Sequence, residues 1–206
     1  MPNISLAARE MKLKAITLIL LFYILPPSAI ALGLIPYEYR FPLLIGITPI
    51  MLLIRPTKHT TITDLGITSC KLRQSILSII PLTVILTLPL LITFFVTTTP
   101  RIDNSSLPLI FYIFYALISC PFQEFAYRGY LFCLMAMLNL GKWSTIFIAA
   151  ILYSYVHIIY LDIPTLLFTL LAGFLWNIHY DKFRNIASVT LSHIVLGTAT
   201  ILLGLI

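Results

Sequence analysis

The chain has 206 residues, 60% of them hydrophobic and 10% charged, with a mean hydropathy of +1.02 and a formal net charge of +6. A soluble domain carries roughly 25% charged residues, so too few polar side chains are present to cover a water-facing surface, and residues 1–206 read as a single integral membrane domain whose main solvent is the lipid bilayer. The Lys and Arg residues stand singly or in small groups between apolar runs instead of forming one stripe, which argues against nucleic acid as a partner.

Taken in chain order, eight apolar stretches are candidate membrane helices: Leu13 to Leu32, Phe41 to Ile54, Gln74 to Val96, Leu107 to Phe122, Glu124 to Leu140, Trp143 to Tyr160, Pro164 to His179, and Asn185 to Ile206. The expected fold is an all-α polytopic bundle of about eight transmembrane helices. Basic residues, the apolar stretch from Ala15 to Leu25 and Ala29-Ile30-Ala31 imitate a cleavable signal peptide, but the first helix reads as retained, with a kink at Pro26-Pro27. Pro36, Pro56, Pro100, Pro121, Gly141 and Pro164 mark boundaries. Arg9, Lys12 and Lys14 precede the first span, and Arg55, Lys58, Lys71 and Arg73 fill the second loop, which places the N-terminus in the cytoplasm. On an eight-span path Lys142, Lys182 and Arg184 then fall outside. No internal repeat of the transporter type is evident.

Cys70, Cys120 and Cys133 form no CxxC pair, so neither a disulfide framework nor a zinc site is indicated, and nothing implies a cofactor. The chemistry is sought instead in charges inside spans, because each costs roughly 3 kcal/mol or more there. Of the acidic residues only Glu124 lies within an extended apolar stretch. Arg128, four residues on, shares its helix face and can pair with it, which is also the structural reading of both. His157 ends the sixth span and His193 sits within the eighth. Alternating spans put Glu124 and His157 at one face, and a cavity open to the cytoplasm could hold them with His193. One carboxylate and two histidines also make a conceivable metal set, but the HExxH spacing is absent and no metal is expected.

At these residues the sequence resembles the CPBP family, the CAAX-processing and bacteriocin-self-immunity (Abi-type) intramembrane proteases. Gln123-Glu124-Phe125-Ala126-Tyr127-Arg128-Gly129 is similar to the family's EExxxR, Tyr153 to His157 to its FxxxH, and His193 to Gly197 to its HxxxN. Asp64-Leu65-Gly66-Ile67 and Gly173-Phe174-Leu175 are weaker echoes, and residues about 107–200 would form the catalytic core. The resemblance implies an intramembrane endopeptidase that cleaves a membrane-anchored protein or peptide with glutamate-activated water, the histidines positioning water and stabilising the oxyanion and Arg128 giving electrostatic support.

Two departures stand out. Gln123 occupies the position of the family's usual catalytic Glu, so either Glu124 acts in its place, or the chain is a degenerate relative, or it carries an inactivating Glu→Gln change. Gly197 offers no side-chain donor where the family often has Asn; Thr198 or Thr200 would have to compensate. A non-enzymatic immunity or partner-binding factor and a proton-relaying transporter are the competing readings. The compact chain looks like a bacterial inner-membrane protein, and nothing in the sequence reports an oligomeric state.

Overall fold

The computed structural model describes residues 2–96 and 102–205. Pro100, read above as a boundary, and Ile206, the end of the last expected span, lie outside the described residues. The chain is all-helical, as an apolar sequence in lipid must be if every backbone N–H and C=O is to find a partner within its own segment. Seven helical rods are present among the described residues: α1 (residues 2–31), α2 (Arg40–Leu53), α3 (Leu72–Val96), α4 (Leu109–Met137), α5 (Lys142–Tyr160), α6 (Ile163–Phe183) and α7 (Ile186–Leu202). Five contain stretches long and apolar enough to cross a membrane, and α7 is a shorter apolar helix. The outward face of α3, with Leu77, Val84, Ile85, Leu88, Ile92 and Phe95 exposed, is the side a bilayer would cover.

The fourth and fifth expected spans are one helix. Pro121 should break a regular α-helix, because its ring collides with the carbonyl four residues back and it brings no N–H. Here the collision is absorbed by a π-helical turn at Tyr115–Ser119, where the Cys120 N–H reaches back to the Tyr115 carbonyl, and α4 continues through the proline. The same device at Leu20–Ile24 carries α1 past Pro26 and Pro27. A third π-helical turn, Phe125–Tyr130, follows Glu124 directly. Glu124 therefore lies near the middle of a 29-residue helix and not at the start of a span.

Merging two spans reverses the direction of every later helix. Lys142, Lys182 and Arg184 then fall at the same end as Arg9, Lys12, Lys14, Arg55, Lys58, Lys71 and Arg73. Contacts between the segments confirm that this end is continuous. Lys14 Nζ donates to the carbonyls of Arg55 and Pro56, Lys142 and Arg184 both pair with Asp181 at 3.0 and 2.9 Å, and Asn185 Nδ2 donates to the Thr68 carbonyl at 2.7 Å. At the opposite end Tyr37 packs on Tyr160 and the Ile102 N–H donates to the Gly204 carbonyl. Arg40 belongs to that low-charge end, and Arg128 is buried inside the bundle.

The loop between α2 and α3 is tucked under the bundle. Asp64 accepts the N–H and hydroxyl of Thr61, which holds its carboxyl below the usual range. Gly66 takes a left-handed conformation (φ +78°), and a Cβ there would lie 2.7 Å from the Tyr180 hydroxyl. A Cβ at Gly129 would lie 2.5 Å from the Leu65 carbonyl oxygen. The loop can approach α4 only because residue 129 has no side chain.

The sidedness is testable. Single cysteines at Lys58, Asn139 and Arg184, in a background without native cysteines, should react with a membrane-impermeant thiol reagent from one side, and cysteines at Glu38 and Asp103 from the other. Labelling of Asn139 from the side of Glu38 would restore the eight-span path.

Candidate active site

Glu124 and Arg128 are fully buried on one face of α4, and Arg128 Nη1 donates to Glu124 Oε1 at 3.0 Å. His193, on α7, donates through Nδ1 to the same oxygen at 2.7 Å. A carboxylate only accepts, so this contact puts a proton on His193 Nδ1, and in the neutral imidazole Nε2 is then the bare nitrogen. The remaining Arg128 nitrogens, Nε and Nη2, find no hydrogen-bond acceptor among the described residues. The guanidinium instead lies 4.2 Å from the Tyr153 ring centroid and 5.2 Å from that of Trp176, whose π faces attract the cation.

Tyr153, on α5, is the hub of the aromatic packing. Its ring stands 5.1 Å from His157 and 6.1 Å from His193, and it seats against Gly173 of α6, where a Cβ would meet Tyr153 Cδ1 at 2.8 Å. Trp176 leans on His193 at 5.3 Å and donates its indole N–H to Ser192 Oγ at 2.9 Å. His157 is half-buried, and its Nδ1 contacts the Tyr153 carbonyl at 2.9 Å. A carbonyl only accepts, so His157 also carries its proton on Nδ1 and offers Nε2.

Gln123 and Glu124 diverge, as consecutive helical residues about 100° apart must. Gln123 is half-buried, donates through Nε2 to Ser119 Oγ at 3.0 Å, and lines a cavity between α1, α2, α4 and α5 that also reaches His157 and Arg40. A second cavity is bordered by α3, α4, α5, α6 and α7 and lined by Tyr115, Tyr153, His157, Trp176, His193 and Gly197. His157 borders both. Glu124 lines neither. The structure thus brings together Glu124, Arg128 and His193 in direct contact, and sets Gln123 and His157 on cavity walls beside them.

The cavities extend toward Arg40 and Tyr160 on one side and Pro164, Thr165 and Leu205 on the other, all at the low-charge end. Cavities at the basic, expected cytoplasmic end do not include Glu124, His157 or His193, so the expected cavity open to the cytoplasm around these residues is not what is seen. The cause is again the merger of two spans in α4. Among the described residues no group of three or more His, Cys, Asp or Glu is arranged to hold a metal ion.

Gly197 has a structural reason. A Cβ there would lie 1.9 Å from the Tyr115 hydroxyl and 2.7 Å from Cζ, so the phenol occupies the space a side chain would take one turn after His193. Thr200 does not compensate for the missing donor, since its hydroxyl is committed to the Gly197 carbonyl at 2.7 Å. Tyr115 is the residue that reading the sequence missed, and the glycine at the motif position was the signal that something large fills the gap. His179, buried against Ser188 at 3.1 Å, is a packing histidine.

The site is therefore one buried carboxylate that holds an imidazole beside two cavities in a bundle with membrane-type helices. Residues 105–199 match the family model described as Rce1-like, type II CAAX prenyl endopeptidase, consistent with a CPBP family intramembrane protease. No curated protein and no solved structure matches the chain.

The fit of Tyr115 on Gly197 is checked by Gly197→Ala. The collision should lower stability in detergent by about 1–3 kcal/mol, with part recovered by Tyr115→Phe in the same chain. Gly46→Ala, in the open on α2, should be neutral or stabilising. Equal thermal shifts for the two glycine variants would contradict the packing.

Proposed function

We propose that this protein is an intramembrane endopeptidase in which Glu124 acts through His193, not by touching water itself. The observation that carries this reading is the 2.7 Å contact between His193 Nδ1 and Glu124 Oε1 in the wall of a cavity. The carboxylate orients the ring and stabilises the imidazolium that forms when Nε2 takes a proton, the role a buried carboxylate plays beside a catalytic histidine generally.

In the step proposed, Nε2 of His193 takes a proton from a water molecule and the water oxygen bonds to the scissile carbonyl carbon. The developing oxyanion is met by a neutral donor that lines the same cavity as His193, the Tyr115 hydroxyl. Collapse breaks the C–N bond, and the proton held by His193 passes to the departing amine. An amide at position 123 is unsuited to act as base, so in this reading the base is His193 and not the residue at the family's usual position.

The substrate proposed is a membrane-anchored protein or peptide. If the basic end is cytoplasmic, as the positive-inside rule requires, both cavities open in the other half of the bilayer and the cut falls there. A bacterial inner membrane is the setting this reading assigns.

The second reading, a non-catalytic partner-binding or immunity factor, is favoured by one observation: Gln123 stands on the cavity wall while Glu124, the one buried acid among the described residues, is sealed away from it.

One assay separates the two. The reconstituted protein is incubated with membrane-anchored peptides and products are identified by mass spectrometry. The hydrolase reading expects cleavage by the natural chain and loss of about 100-fold or more in Glu124→Gln and His193→Ala. No cleavage by the natural chain, with cleavage gained in Gln123→Glu, would replace it with the binding reading.

A further inference from the structure

The cavity that ends at Gln123 and His157 has a chemistry the hydrolase reading does not use. Its walls are mostly apolar side chains, among them Phe22, Pro26, Ile30, Leu44, Ile47 and Met51. At its mouth stands Arg40, the first residue of α2, at the low-charge end of the bundle. The guanidinium lies 4.0 Å from the Tyr37 ring centroid and 4.6 Å from that of Phe41, and Nη1 donates to the Tyr37 carbonyl at 3.3 Å. Nε is buried with no acceptor, and among the described residues no carboxylate pairs with this arginine. A clamped, half-buried cation with an unmet donor beside an apolar cavity calls for an anion attached to an apolar body.

We infer that this cavity binds a phosphate-bearing membrane lipid, its phosphate on Arg40 and one acyl chain running inward toward Gln123 and His157. A peptide strand is the poorer occupant for a physical reason. The walls are helices whose N–H groups turn into their own helices, two lining residues, Pro26 and Pro27, have no N–H at all, and the Thr48 hydroxyl is committed to the Leu44 carbonyl at 2.8 Å, so few donors face a peptide's carbonyls. An extended peptide would leave its own amides unmet there; a hydrocarbon chain has none to satisfy. The position agrees. Arg40 sits at a helix end beside exposed Tyr37 and Tyr39, the level at which lipid headgroups and interfacial aromatics lie. The fork of arginine also matches phosphate with two parallel donors.

The test is native mass spectrometry of the full chain released from detergent with phosphatidylglycerol or diacylglycerol of the same acyl chains, with and without inorganic phosphate. Because binding is read directly, the outcome does not depend on whether the protein cleaves anything. The natural chain should retain phosphatidylglycerol about tenfold better than diacylglycerol. Arg40→Gln should abolish that preference, Arg40→Lys should keep part of it, and Ile47→Trp, which fills the cavity, should lower retention of both lipids. Inorganic phosphate at millimolar concentration should not displace the lipid, since the chain carries much of the binding; displacement would mark a simple anion site. Equal retention of the two lipids by the natural chain, an unchanged preference in folded Arg40→Gln, or stronger retention of an apolar peptide than of either lipid would each overturn the inference.

Discussion

A carboxylate buried in a bundle with no exposure needs charged donors, and that requirement organises this protein through one oxygen of Glu124, the other, Oε2, finding no hydrogen-bond partner among the described residues. Glu124 Oε1 takes two charge-assisted contacts, from Arg128 within α4 and from His193 across the helix interface. Arg128 in turn needs cover for its other nitrogens, which the Tyr153 and Trp176 rings provide. Tyr153 reaches that position because Gly173 yields space, and Trp176 is held by Ser192. The chain of dependence runs from one charge on α4 through α5, α6 and α7. The registers of these helices are coupled, since sliding any of them would leave a buried charge without a partner.

The same arrangement separates two jobs that a single acidic residue might otherwise perform. Glu124 is enclosed, whereas Gln123, His157 and His193 border the cavities. An enclosed carboxylate can orient and stabilise an imidazole but cannot reach a substrate. A neutral amide on the wall can donate but not accept a proton at ordinary pH. Charge sorting along the bundle adds a direction: ten of the thirteen Lys and Arg residues gather at one end, and the cavities extend to the other. Among the described residues Arg40 is thereby left at the poorly charged end as a cation between two aromatic rings with no carboxylate paired to it.

Much of this was legible in the residues. Apolar runs could only be helices, and the rarity of charge inside them singled out Glu124, Arg128 and His193, which do meet. What could not be read was local. Pro121 looks like a terminator, and only the widened turn before it, which follows from tertiary packing and leaves no mark in composition, lets α4 continue. That one continuation changes the direction of three later helices and removes the apparent conflict of Lys142, Lys182 and Arg184 with the rest of the basic residues. Position 197 was read as a missing donor because a glycine says nothing about what occupies the space beside it; Tyr115, more than eighty residues earlier, fills it. The direction of Glu124 relative to Gln123 was equally hidden, since adjacent residues on a helix diverge but the sequence does not say which one faces the cavity.

The claim on which the account rests, that Glu124 and Arg128 form one buried and mutually dependent pair, is tested most directly by a double-mutant cycle on stability in detergent. Glu124→Leu and Arg128→Met should each cost about 3–5 kcal/mol, because each strands the opposite charge. The double variant should lose less than the sum by about 1–3 kcal/mol, the signature of direct coupling. Losses that add to within about 0.5 kcal/mol would mean that the two side chains do not meet in the bundle, and the arrangement of His193 and the cavities around them would fall with that contact.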